Sequence, residues 1–208
     1  MPSKSPSSAF TLVELLVTLA VVAILFALGA PVISNIYKSA REAKSISNLR
    51  QSANAYMSYV ADRGRTIIVF RGGGDGNPNL GWGRQLFTNG LVNDGRVLFM
   101  PGKEYGGRQP NNASWVWDTY GLNVTLDSTY AKWWADGIKG HVEINYNLIQ
   151  KPTEHLLLAE TARLGSKNPK TAYLAIQKAP AASGGGGIRL DENGMTRGVF
   201  LDGHIEQM

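Results

Sequence analysis

The chain has 208 residues, 43% of them hydrophobic and 18% charged, which excludes a wholly disordered or collagen-like polymer. Cys 0 excludes disulfide scaffolds, thiolate zinc sites and cysteine nucleophiles together, without fixing the compartment. Lys+Arg 21 against Asp+Glu 16 gives a net charge of +5 with no basic run, so nucleic acid is not an expected partner.

Residues 1–9 (MPSKSPSSA) are polar and carry one charge, Lys4. From Phe10 to Ala30 the chain reads FTLVELLVTLAVVAILFALGA, with Glu14 as its single charged residue. As a helix this stretch spans about 31 Å at ~1.5 Å per residue, the thickness of a hydrocarbon core. A single membrane pass is therefore predicted at the N-terminus. Glu14 is costly in such a segment, although the cost falls near the membrane edge. Cleavage between Ala9 and Phe10 would place a positive α-amine one turn away from it. That amine, in the same chain or a neighbour, would compensate the carboxylate and favour assembly in register.

Beyond Pro31, apolar residues recur every three or four positions at Ile36, Ala40, Ala43, Ile46, Leu49, Ala53, Met57 and Val60. This spacing predicts that the helix bends at Pro31, continues with one apolar face, and ends at Asp62-Arg63-Gly64 on a glycine cap. The remainder is strand and turn. Short β-branched or apolar runs predict strands at 66–70, 96–99, 142–147, 155–160, 172–177 and 197–201. Arg197–Leu201, Asp202-Gly203 and His204–Glu206 read as a hairpin on a two-residue turn. The glycine-rich stretches 71–78 and 183–187 read as loops.

The segment AFTLVELLVTLAVVAILFALGAP resembles the processing and methylation segment of type IV pilins and type II secretion pseudopilins. The resemblance implies that prepilin peptidase cuts between Ala9 and Phe10 and methylates the new N-terminus at Phe10. It implies that Glu14 is the assembly glutamate and Pro31 the helix-bending proline. The sequence departs from the family in having Ala9 where glycine is usual. The C-terminal Asp202-Gly203-His204 resembles the processing-associated motif of one pilin-like subgroup. The histidine that usually precedes it is replaced by Glu192. The rival reading of the same N-terminus is a secretory signal cut near Ala27-Leu28-Gly29, against which stand Glu14 and the length of the apolar run. Lys38, Arg41 and Lys44 follow the span and only Lys4 precedes it. The positive-inside rule thus opposes the orientation that the resemblance implies.

Outside this segment the chemistry is sparse. His141, His155 and His204 have no metal-ligand spacing, and Asp202 with His204 is better explained by a turn than by acid–base chemistry. Asp75-Gly76-Asn77 has a fragment of calcium-loop composition without the later glutamate, so no cofactor is expected, calcium being the one alternative. Gly72–Gly76 lacks the Lys-Ser/Thr of a phosphate loop, and no Gly-x-Ser-x-Gly elbow occurs. Trp115, Trp117, Tyr120, Tyr130, Trp133 and Trp134 cluster within twenty residues, either filling a core or offering an interface or sugar-stacking surface.

The expected class is α+β: a long N-terminal transmembrane and amphipathic helix packed on a small antiparallel β-sheet domain. The expected plan is a leader at 1–9, a membrane and assembly helix at 10–30, its amphipathic continuation at 31–63 and a β-rich domain at 64–208. The resemblance implies a structural, non-enzymatic subunit of a type IV pilus (fimbrium) or type II secretion pseudopilus. Its partners would be prepilin peptidase, other pilin or pseudopilin subunits and the inner membrane, with the β-rich domain outside the cytoplasm. The alternative is a membrane-tethered or secreted module binding glycans or another ligand through the tryptophan-rich region.

Overall fold

The computed structural model describes residues 10–70, 81–101, 119–124, 129–133, 141–163, 175–176, 186–188 and 195–208. The chain divides into two compact units, Met1–Glu42 and Ala43–Met208. One helix, α1 (Leu12–Asp62), begins in the first and ends in the second. Its backbone stays helical through Pro31. Its C-terminus closes as predicted: the Arg65 N–H donates to the Val60 carbonyl (2.9 Å) and the Gly64 N–H to the Ala61 carbonyl (3.2 Å). Gly64 takes φ 64°, the left-handed position that glycine occupies at least cost.

In the first unit the large apolar side chains described on α1 are all exposed, from Phe10 to Tyr37. In the second unit α1 is the spine of the core. Leu49, Ala53, Tyr56, Tyr59 and Val60 are buried there with Ile67, Trp82, Leu86, Leu122, Ile144, Leu158 and Val199. Tyr56 meets Trp82 and Tyr146 edge to face, each pair with ring centroids 6.0 Å apart, and its hydroxyl lies 2.9 Å from that of Tyr146. Burial pushes the hydroxyls of Tyr56, Tyr120 and Tyr146 well above the ordinary phenol range.

The strands are β1 (Thr66–Phe70), β2 (Gly121–Asn123), β3 (Ala131–Trp133), β4 (His141–Asn145), β5 (Leu156–Ala159), β6 (Thr161–Arg163), β7 (Ala175–Ile176), β8 (Gly186–Ile188), β9 (Arg197–Phe200) and β10 (Ile205–Gln207). Among the described residues they form sheets ordered β1-β4-β3, β10-β9-β5-β2-β7 and β6-β8. Every pairing is antiparallel except β2 with β7. The class is therefore α+β, a long N-terminal apolar helix with small, mainly antiparallel sheets.

Several details differ from the sequence expectation. Ile36, Ala40 and Ala43 lie on the predicted apolar face yet are exposed, and Ile46 and Met57 are only half-buried. The buried stripe instead includes Ser45, Asn48 and Ser52, whose hydroxyl and amide donors find acceptors inside, while Asn48 Oδ1 is buried with no hydrogen bond among the described residues. Ser52 Oγ donates to the Val97 carbonyl (2.9 Å) and Asn48 Nδ2 to that of Phe99 (3.0 Å). Ser45 Oγ donates to Glu160 Oε1 (2.6 Å), an oxygen that also lies 3.7 Å from Arg197 Nη1.

The run 96–99 is a single 3-10 turn, Gly95–Leu98, because the Asp94 carboxylate accepts the Arg96 N–H (3.0 Å) and caps it. Likewise 142–147 is a strand only to Asn145, whose side chain takes the Asn147 N–H and starts a second 3-10 turn, Tyr146–Leu148. Of the strand expected at 172–177, only Ala175–Ile176 lies within the described residues, as β7. A short helix, α2 (Trp82–Thr88), stands where no element was expected. The C-terminal hairpin turns on three residues rather than two. Phe200 and His204 close the loop, the Gly203 N–H donates to the Phe200 carbonyl (2.9 Å), and Gly203 takes φ 92°.

Candidate functional site

The N-terminal site is built on the first turn of α1. Thr11 occupies the N-cap and Glu14 the third helical position, the Thr-x-x-Glu spacing of a capping box. The Thr11 N–H and the Thr11 hydroxyl both donate to Glu14 Oε2, each at 2.8 Å. The Glu14 N–H donates back to Thr11 Oγ1 at 3.3 Å. Two backbone donors that a helix end leaves without partners are thereby satisfied inside the turn. Phe10, 74% exposed, immediately precedes the cap. Thr11 is not among the site residues expected from the sequence, although the spacing that reveals its role is plain in FTLVE.

From Phe10 to Leu28 the large apolar side chains are 46–75% exposed, on every side of the helix. A surface helix of a water-soluble domain carries a polar face opposite its apolar stripe, whereas a helix apolar all round belongs in lipid or among other helices. By length and composition α1 is sufficient to cross a membrane. Glu14 is the one ionisable group along that stretch and stands four residues from Phe10, about one helical turn. Ala9 lies outside the described residues, and of Pro31 only the backbone is described.

At the other end, Asp202, Gly203 and His204 form the hairpin loop and its closing residue. Asp202 Oδ1 accepts the His204 N–H (3.2 Å) and lies 2.6 Å from His204 Nδ1, while the His204 ring stacks on Phe200 at 4.3 Å between centroids. Partial desolvation raises the Asp202 carboxyl, but the bonds from His204 outweigh it and hold the group below the usual carboxylate range. Each of these contacts stays within the hairpin, so the geometry assigns the motif a turn-forming role.

His155 is buried, edge-on to Tyr130 at 5.1 Å, and His141 is buried in β4. Neither approaches a metal-ligand set: no group of three His, Asp or Glu side chains suited to a metal occurs among the described residues. Trp82 and Tyr120 are core residues, with Trp82 Nε1 donating to the Tyr120 carbonyl (3.0 Å). Trp133 is described only through its backbone in β3, and Trp115, Trp117, Trp134 and the Asp75-Gly76-Asn77 loop lie outside the described residues.

Residues 4–30 match the family model described as the prokaryotic N-terminal methylation motif. The exposed apolar helix and its capped glutamate fall within this match. The N-terminal segment therefore carries a prokaryotic methylation motif, consistent with a pilin-like prepilin segment. No curated protein and no solved structure matches the chain.

Proposed function

We propose that the chain is a pilin or pseudopilin subunit, cut between Ala9 and Phe10 by prepilin peptidase and N-methylated on Phe10. It is held in the inner membrane by α1, with its β-rich domain outside the cytoplasm, and then incorporated into a type IV pilus or a type II secretion pseudopilus. The observation that carries this reading is the stretch Phe10–Leu28, apolar on all sides, whose single acid stands one turn from Phe10. In lipid, the carboxylate has no water to solvate it, and leader removal supplies a positive amine at the distance where it neutralises that charge. Apolar helices leaving lipid for a bundle lose little, because lipid tails and leucine are equally apolar. The charge pair therefore supplies much of the specificity of assembly and its register.

The test is Glu14→Ala. The variant is expected to insert in the membrane as well as the parent, because it removes a charge from an apolar segment. It is expected to enter sheared filaments or the assembled pseudopilus at a small fraction of the parent level. Incorporation at the parent level would refute the reading.

A further inference from the structure

We propose that Thr11 is a positioning residue for Glu14, holding one carboxylate oxygen so that the other is presented to the Phe10 amine. This rests on the assembly reading above. Glu14 Oε2 accepts two hydrogen bonds from Thr11, through the backbone N–H and the hydroxyl, both at 2.8 Å. Glu14 Oε1 accepts none from the described residues. The carboxylate is thus folded back over the start of the helix, tied through one oxygen and open at the other. Free to rotate, the side chain would sample several staggered positions, and pairing would carry the entropy of choosing one.

The Thr11 hydroxyl is used twice. It donates to Glu14 Oε2 and accepts the Glu14 N–H, so one side chain orders both the carboxylate and the backbone donor beneath it. In lipid no water replaces either bond, so the first turn either keeps the box or frays. Leader removal and methylation at Phe10 leave the Phe10–Thr11 peptide intact, so the Thr11 N–H remains available in the mature chain. The Thr11–Glu14 unit therefore presents the same open oxygen before and after processing, and removal of the leader adds only the cation. Whether the cation comes from the same chain or its neighbour, the requirement for a fixed acceptor is the same.

The experiment compares Thr11→Val, Thr11→Ser and Glu14→Ala in the full chain. Valine keeps the shape and the N–H but removes the hydroxyl, and serine restores it. Leader removal is read by intact mass, assembly by the amount recovered in filaments, and the first turn by amide exchange of Glu14 in nanodiscs. Thr11→Val is expected to be cleaved and inserted like the parent and to assemble roughly tenfold less, the scale of one lost charge-assisted hydrogen bond. Its Glu14 amide is expected to exchange faster, and Thr11→Ser is expected to restore both properties. Parent-level assembly of Thr11→Val beside a defective Glu14→Ala would overturn this proposal and leave the assembly reading standing. A Thr11→Val defect traced to an uncleaved leader would also overturn it. Normal assembly of Glu14→Ala would instead remove the reading on which it rests.

Discussion

Arg197→Met tests the polar seam that joins α1 to the sheets within the Ala43–Met208 unit. Arg197 starts β9, and its Nη1 lies 3.7 Å from Glu160 Oε1, with both side chains about nine-tenths buried (10% and 11% exposed). Methionine fills much of the space of the arginine stem but removes the cation, leaving the glutamate with the hydroxyl of Ser45 at 2.6 Å. Two unit charges at that separation attract by roughly 4 kcal/mol at an effective dielectric of about 20. Removing one partner of a buried pair typically costs about 3–5 kcal/mol, because the remaining charge stays in the interior. The retained serine bond places the expected loss near the lower end, about 3 kcal/mol.

For a unit of this size, that corresponds to a fall in Tm of roughly 6–12 °C. The assay is a thermal melt of the full chain in detergent, followed by near-UV circular dichroism and by tryptophan fluorescence, all five tryptophans lying outside the long helix, so that the helix does not dominate the signal. Combining Arg197→Met with Glu160→Gln should recover most of the loss, since the amide oxygen still accepts from Ser45 and carries no charge. A single variant within about 1 kcal/mol of the parent would refute the reasoning, as would a double variant no more stable than the single one.

Two other predictions concern the turns. Because the Asp202 carboxyl is held below its ordinary range in the folded hairpin, its contribution is present above the unfolded carboxylate range and is lost as pH falls through the lowered value. Amide exchange at Gly203 and His204 should therefore accelerate relative to a control amide below about pH 4, and Asp202→Asn should remove that pH dependence. Gly64→Ala should lower stability by about 1 kcal/mol through backbone strain alone, since φ is 64° and an added Cβ meets no atom within 4 Å. A chemical denaturation midpoint unchanged by that substitution would contradict the left-handed glycine cap assigned to Gly64.

The membrane segment of α1 and its two ends are legible because their information is local. An apolar run of membrane length, a Thr-x-x-Glu start and a glycine stop are each encoded within a few adjacent residues. The strands at Thr66–Phe70 and Arg197–Phe200 were likewise marked by β-branched or apolar runs between turns. What escaped was set by partners distant in sequence. Ser45, Asn48 and Ser52 stand outside the apolar recurrence, and nothing in their neighbourhood announces Glu160, Phe99 or Val97 as acceptors. The Asp94 and Asn145 side chains, by capping the next turn, overrode the strand propensity of Arg96–Phe99 and of the end of 142–147. The hairpin loop gained a residue because Leu201 joined the turn while Gly203 supplied the positive φ.

The central claim is that a short polar leader is exchanged for a positive charge beside Glu14, and N-terminal analysis of the protein recovered from its native cells tests it most directly. Intact mass with fragmentation is predicted to find a chain beginning with N-methylphenylalanine at Phe10. A chain retaining Met1, or one beginning at Ala30 and free of any membrane or filament, would contradict the account.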